Sequence, residues 1–271
     1  MVTPMIHAEG LTFAYPGGVQ ALNGANIQVG AGELVAVLGP NGAGKSTLLR
    51  LLAGVARPDR GRVDWKGQPV QSLPSRVRAR AVALVPQALV ALPEVDVRTF
   101  TAYGRYAHLG SFGRPTTSDR AAVDRALAEA DLADLADRPL TALSGGQRQR
   151  ALIARALAQE ADLFLIDEPT NALDPEHQLI VFELIASLTC AGRAAVVVTH
   201  DLNLASQFST RAALLSEGRV VADGPVAEVI RRDVLQPVYG ERLRYDRWSS
   251  GGGEIPVVLP WRSGDPDQPG S

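Results

Sequence analysis

One segment of the sequence, residues 39–47, has a composition suited to holding phosphate groups. It reads GPNGAGKST and fills every fixed position of the phosphate-loop pattern. An apolar run, residues 34–38, precedes it, and a helical pattern begins at Lys45. Glycines let backbone N–H groups turn toward phosphates, and a helix start adds partial positive charge. The sequence predicts that a nucleoside triphosphate is bound by Gly39, Pro40, Asn41, Gly42, Ala43, Gly44, Lys45, Ser46 and Thr47.

Two side chains of this loop have predicted chemical roles. Lys45 is one of only two lysines in the chain, the other being Lys66, so its place in the pattern is hard to attribute to chance. We expect its ammonium group to contact the β- and γ-phosphates and the Ser46 hydroxyl to ligate Mg²⁺. The alternative, a glycine-rich turn without a ligand, does not account for the lysine.

Two acids end an apolar run, residues 163–166, that has the character of a buried strand. Asp167 is the expected outer-sphere partner of Mg²⁺, and Glu168 is the expected general base for an attacking water. Acids also cap turns in many proteins. The functional interpretation of this motif therefore depends on the presence of the phosphate loop.

A second glycine-rich segment, LSGGQ at residues 143–147, precedes a helical pattern and forms a second anion-binding helix start. One nucleotide already has a cradle at residues 39–47, so the second start indicates binding contributed to another chain. The residues concerned are Ser144, Gly145, Gly146 and Gln147. The structural alternative is an ordinary helix with Ser144 as its N-cap.

The pattern around these motifs predicts an α/β fold. Short β-type runs over residues 11–38 predict a small N-terminal antiparallel β subdomain that leads into a core strand. Helical patterns over about residues 92–141, with Ser118 as a plausible N-cap, predict an inserted α-helical subdomain. Strand and helix types then alternate, which favours a mainly parallel sheet. Residues 246–271 are expected to form one strand and a loose tail.

Composition limits the kinds of partner. The chain has 271 residues and a formal net charge of −2, so it lacks the basic excess of nucleic-acid-binding proteins, and no nucleic-acid partner is expected. No apolar run approaches the roughly 18 to 20 residues of a spanning helix. The start of the chain lacks the pattern of a secretory signal, and Cys190 is the only cysteine. We therefore expect a cytoplasmic protein.

LSGGQ some twenty residues ahead of LIDEP resembles the signature of ABC transporter nucleotide-binding subunits. The resemblance covers residue 11 to about residue 240. It implies a phosphate-loop NTPase (RecA-like) core in an ATPase domain at residues 1–245, with ATP and Mg²⁺ as cofactors. It also implies a homodimer in which two chains close head to tail on two ATP molecules.

The resemblance implies further site residues. Tyr15 is similar to the aromatic residue that stacks on adenine, although it could be a half-buried strand tyrosine. Gln87 resembles the glutamine that senses magnesium and passes motion to the helical subdomain. Asp174 lies in the loop that crosses the dimer interface, and before Pro175 it also suits a helix N-cap. His200 resembles the histidine that holds the γ-phosphate and positions Glu168. The remaining histidines receive no catalytic role: His7, His108 and His177.

Three stretches resemble importers of iron-siderophore, haem and vitamin B12: residues 103–110, 200–205 and 238–240. Ala107 stands where the usual form has proline. A zinc or manganese importer is the nearest alternative. We expect separate permease subunits to dock near Gln87 and the helical subdomain, with a solute-binding protein involved indirectly. The ATPase would be peripheral, at the cytoplasmic face of the inner membrane.

Other classes with the same loop fit less well. A DNA-repair or chromosome ATPase would carry a long coiled-coil insertion, and only the 98 residues 46–143 separate Lys45 from Ser144. A small-molecule phosphate-loop kinase gives no reason for LSGGQ or for His200.

Overall fold

The computed structural model describes residues 4–89, 91–109, 113–171, 173–190, 192–250 and 253–261. The strands are β1 Ile6–Ala14, β2 Gln20–Val29, β3 Leu34–Leu38, β4 Arg60–Trp65, β5 Gln68–Pro69, β6 Val82–Val85, β7 Leu163–Asp167, β8 Ala194–Val198, β9 Arg211–Ser216, β10 Arg219–Pro225, β11 Leu243–Ser250 and β12 Gly253–Pro260. The helices are α1 Lys45–Leu52, α2 Ser75–Ala81, α3 Val97–Ala102, α4 Thr117–Glu129, α5 Gly145–Ala158, α6 Pro175–Cys190, α7 Leu202–Phe208, α8 Val226–Val229 and α9 Arg232–Tyr239.

The central sheet has the strand order β10-β9-β3-β8-β7-β6. All its pairings are parallel except that of β9 with β10. Strands β3 and β8 are buried and apolar along their whole length, as expected for parallel strands covered on both faces. Because parallel strands end at a common edge, the segments after β3, β6, β7 and β8 meet there. This edge holds the predicted site.

A second sheet, with the order β2-β1-β4-β5, is antiparallel. Its buried side chains form one cluster with apolar residues of α1 and with Val35 and Val196 of the central sheet. The predicted N-terminal antiparallel subdomain is confirmed. Its packing on α1 fixes the helix that follows the phosphate loop.

Helices α3, α4 and α5 lie on the other side and share a cluster with Phe164 and Ile166 of β7. The predicted inserted helical layer is therefore present. The predicted N-cap of α4 was wrong by two residues. Thr116 is the N-cap, because its hydroxyl accepts from the backbone N–H of Asp119 while the Asp119 carboxylate accepts from the backbone N–H of Thr116. Ser118 lies inside the helix.

The C-terminal segment forms two strands where one was predicted. Strands β11 and β12 pair antiparallel, with Tyr245 opposite Val258. The Asn203 side chain on α7 fastens this hairpin, since its Nδ2 donates to the Val258 carbonyl at 3.0 Å and its Oδ1 accepts from the Val258 N–H at 2.8 Å. The predicted loose tail beyond residue 261 lies outside the described residues. In the described part of the chain, no helix is both long enough and apolar enough to cross a membrane.

Candidate functional site

The phosphate-loop backbone follows a path that only glycine permits at two positions. Gly39 has φ +144°, and a Cβ there would lie 2.1 Å from the Leu215 carbonyl oxygen. Gly44 has φ +103°, and its Cβ would lie 2.3 Å from the Ala21 carbonyl oxygen. The loop therefore packs closely against the backbone at Leu215 and Ala21. At Gly42 an added Cβ would face open space.

The start of α1 is left ready for an anion. Gly44 is its N-cap, and no side chain caps the first turn. The first N–H groups of a helix have no partners within the helix, and they carry the positive end of its dipole. The N–H groups at Lys45 and Ser46 are thus available to phosphate oxygens.

The Lys45 side chain is buried against its own loop. Its ammonium group donates to the Gly39 carbonyl at 2.7 Å and to the Pro40 carbonyl at 3.0 Å. Burial lowers the pKa of Lys45, and the nearby carboxylates of Glu168 and Asp167 oppose that effect. The predicted lysine and the two predicted acids therefore share one electrostatic environment.

Asp167, at the end of β7, has the properties of a carboxylate next to a cation site. Burial, the largest effect, raises its pKa, and a hydrogen bond with Ser46 opposes the rise. Its Oδ1 atom is buried, and no described residue makes a hydrogen bond with it. Among the described residues no cluster of three His, Cys, Asp or Glu side chains could hold a metal by itself. The site therefore offers the Ser46 hydroxyl and the Asp167 Oδ1 atom rather than a complete set of protein ligands. This suits Mg²⁺, which usually keeps water and phosphate oxygens among its ligands.

Glu168 has a strained backbone that aims its carboxylate. Its φ is +44°, a left-handed conformation that is rare outside glycine, and its N–H donates to the Val198 carbonyl at 2.9 Å. Oε2 accepts from Gln87 Nε2 at 3.2 Å and lies 3.8 Å from His200 Nδ1. The ends of β6, β7 and β8 thus bring together three predicted residues that are far apart in sequence.

These residues line one cavity of about 800 Å³. The cavity joins the phosphate loop to Gln87, Glu168, Asn171 and His200, with Tyr15 at its margin. Tyr15 is 36% exposed, and its hydroxyl group lies 2.9 Å from Thr47 Oγ1. Tyr15 therefore lies one residue beyond the end of β1 and is exposed rather than half-buried in a strand, and it lines the cavity.

The signature segment, residues 143–147, lies elsewhere in the chain. Ser144 caps α5, since Gln147 N–H donates to its hydroxyl at 3.2 Å and Gln147 Oε1 accepts from its N–H at 3.0 Å. None of Ser144 to Gln147 lines the phosphate cavity among the described residues. Gly145 instead lines a neighbouring cavity of about 420 Å³, which shares Gln87 and Asn171 with the first.

Asp174 caps α6, because the His177 N–H donates to its Oδ1 at 3.0 Å. The His177 ring also contacts this carboxylate, with Nδ1 at 2.7 and 2.9 Å from its two oxygens. Sequence reasoning gave His177 no role. The spacing of three from Asp174 at a helix start was the available signal, and it is weak because many helices carry such pairs.

The first stretch taken as a cargo mark has a structural task. A Cβ at Gly104 would lie 2.1 Å from the Arg155 carbonyl oxygen on α5, so the chain makes a close approach there. The buried Arg105 bonds Asp119 at 3.0 Å and Glu160 at 2.6 Å. These contacts connect α4 to the segment just after α5.

The ABC transporter family profile matches residues 22–171. The chain belongs to the ABC transporter family. It is 42% identical to the hemin import ATP-binding protein HmuV of Streptomyces coelicolor over 88% of this chain and 84% of that one. It is 40% identical to the iron(3+)-hydroxamate import ATP-binding protein FhuC of Bacillus subtilis over 79% and 80%.

A solved structure described as an inward-facing metal-chelate type ABC transporter matches with a TM-score of 0.83. The identity is 30%, and the match covers 96% of this chain and 98% of that chain. The predicted family, the phosphate-loop NTPase fold and the ATPase class are confirmed. The individual roles of the site residues stay predictions.

Proposed function

We propose that the chain is the ATP-hydrolysing subunit of an importer for a metal chelate such as iron-siderophore, haem or vitamin B12. It would act peripherally at the cytoplasmic face of the inner membrane. The observation that carries the ATPase part is the single cavity in which Lys45, Gln87 and Glu168 meet the phosphate loop. The cargo part rests on similarity to chelate importers. Residues 1–245 would form the ATPase domain.

The residues divide the chemistry among them. The loop N–H groups and Lys45 bind the triphosphate, and the Tyr15 ring stacks on the base. Ser46 and Asp167, with Gln87, would hold Mg²⁺, which when bound neutralises charge on the phosphate oxygens. Glu168 takes a proton from the attacking water as general base.

Two neighbours of Glu168 set its position. Gln87 donates to its Oε2 at 3.2 Å, and the left-handed backbone limits where the carboxylate can swing. His200, whose side chain is 60% exposed, has its Nδ1 atom 3.8 Å from Glu168 Oε2, and it would contact the γ-phosphate of bound ATP. These contacts orient the carboxylate of the base.

A second copy of the chain would complete the site. Ser144 and Gly145 are exposed at the tip of α5, and they do not line the phosphate cavity of their own chain. A helix N-terminus, which carries the positive end of the helix dipole, suits the γ-phosphate held by the partner. Asp174 would lie at the same interface.

Crosslinking tests this head-to-tail dimer. In a Glu168→Gln, Cys190→Ser background, which removes the exposed native thiol, we place Asn41→Cys and Ser144→Cys in one chain. A short bis-maleimide should then link two chains when ATP is present, with either single cysteine variant as control. No ATP-dependent link would refute the composite site.

The permease is expected to dock beside Gln87. The cavity of about 420 Å³ there is lined by Leu89 and Leu92 on one side and by Arg148 and Gln149 of α5 on the other. Separate permease subunits, fed by a solute-binding protein, would dock at this cavity.

Cargo is tested in cells. A strain lacking the gene should fail to grow on haem or on siderophore-bound iron and should recover when the intact gene is restored. Recovery by added zinc or manganese alone would instead favour the metal-ion importer.

A further inference from the structure

We propose that His177 is a positioning residue that joins the interface loop at Asp174 to the helix tip at Gly146, and so couples the two halves of the composite ATP site. The proposal rests on the ATP-dependent dimer proposed above. It assigns a task to a histidine that lines no part of the phosphate cavity.

His177 makes two donors available to one carboxylate. Its backbone N–H donates to Asp174 Oδ1 at 3.0 Å, and its ring Nδ1 lies 2.7 Å from Oδ1 and 2.9 Å from Oδ2. An ionised carboxylate only accepts hydrogen bonds, so Nδ1 carries the hydrogen. The backbone bond and then the ring bond hold the pKa of Asp174 below its ordinary value. The carboxylate is therefore kept ionised and fixed in direction.

The same ring lies beside the signature segment. A Cβ built on Gly146 would lie 3.4 Å from His177 Cδ2 and 3.4 Å from Leu173 Cδ2. The His177 ring edge and Leu173 thus border the space that a side chain at position 146 would enter. One side chain therefore bonds Asp174 and lies next to Gly146, the two places that are proposed to meet a partner chain.

This contact has a path to the chain's own base. The Asn171 N–H donates to the Glu168 carbonyl at 3.3 Å, and the Leu173 N–H donates to the Thr170 carbonyl at 3.2 Å. These two hydrogen bonds connect the segment that begins at Glu168 with Leu173, which lies beside Gly146. A shift of the helix tip on a partner's phosphate would therefore press on the segment that carries Glu168.

Two substitutions separate the two contacts. His177→Phe keeps a ring against Gly146 but has no donor for Asp174. His177→Asn keeps a donor near the Nδ1 position but has no ring edge. His177→Ala removes both, and His7→Ala, on β1, is the control histidine.

Analytical ultracentrifugation in the Glu168→Gln background, with saturating ATP, measures the protein concentration at which half of the protein is dimeric. We expect His177→Ala to raise it about tenfold, as loss of a charge-assisted hydrogen bond and a packing contact would. His177→Phe and His177→Asn should each raise it less. ATP binding to the monomer should not change, since the phosphate cavity is untouched.

A second readout excludes a merely structural effect. With Glu168 intact, His177→Ala should lower kcat and leave the KM for ATP nearly unchanged. Unchanged dimerisation in His177→Ala would overturn the proposal. If that variant does not fold, parent-like dimerisation by both His177→Phe and His177→Asn would overturn it. A parent that fails to dimerise with ATP would instead overturn the proposed dimer itself, and this proposal with it.

Discussion

Replacing Glu168 with glutamine tests the proposed base with the least structural change. Glutamine has the same shape, and its amide oxygen can still accept from Gln87, now 3.2 Å from Oε2. It cannot take a proton from water at neutral pH. The left-handed backbone at this position is also retained, since glutamine differs only at the end of the side chain.

The structure sets the direction and size of the effect. A positioned general base contributes about 100- to 10,000-fold to a rate, which corresponds to about 3 to 5 kcal/mol in activation free energy. The turnover of Glu168→Gln should therefore be lower than that of the parent by a factor in that range. ATP binding should be unchanged or tighter, because the substitution removes one negative charge from the cavity that receives the triphosphate. Loss of that charge also removes one cause of the raised pKa of Asp167, so Asp167 ionises more readily.

The assay pairs phosphate release at saturating ATP with nucleotide binding and with dimer formation. Glu217→Gln is the matched control, because Glu217 also has a positive φ, +48°, but lies exposed in the turn between β9 and β10. We expect the Glu168 variant to be nearly inactive and trapped as a dimer, and the control to be active. Parent-like turnover in Glu168→Gln would refute the assigned base.

Three further predictions follow from the site and its support. Lys45→Ala should weaken ATP binding by tenfold or more, as seen by calorimetry, because it removes the cation that faces the phosphates; retained affinity would contradict this. Gly44→Ala should lower the free energy of unfolding in urea more than Gly42→Ala, since its Cβ meets a carbonyl oxygen at 2.3 Å while Gly42 faces open space, and equal losses would contradict the packing. Hydrogen bonds from Thr116 lower the pKa of Asp119 from 3.8 to about 2, so its ionised form stabilises the fold above pH 4 and the gain is lost as pH falls toward 2. Asp119→Asn should therefore cost about 2 kcal/mol near pH 6 and flatten stability between pH 4 and 2; a parent-like pH profile would argue against it.

Local patterns account for the parts that were predicted. The strand Leu34–Leu38 was predicted with the bounds that the structure has, because a buried parallel strand is an unbroken apolar run between turn residues. The backbone of the loop at residues 39–47 needs glycine where φ is positive and another chain segment approaches closely. Those glycines can be read directly from the sequence. Asp167 and Glu168 were recognisable because a buried strand has no packing reason to end in acids.

Other features depend on partners distant in sequence. The strand Leu243–Ser250 was missed because its stability comes from pairing with β12 and from Asn203, not from its own periodicity. The N-cap at Thr116 is an exception, because its signal is local: Asp119, three residues ahead, completes a capping box that Ser118 lacks. The stretch around Arg105 looked like a mark of cargo, and only packing showed that it fastens α5.

The sequence by itself determined the family, the phosphate loop and the acids after β7, because each of these is encoded in neighbouring residues with a fixed spacing. Only the tertiary structure decided that Gln87, Glu168 and His200 share a cavity, that residues 144–147 do not line it, and that His177 lies between Asp174 and Gly146. The physical reason is that these contacts are made where separate strands and helices end, and side-chain reach across such ends is set by packing rather than by spacing along the chain.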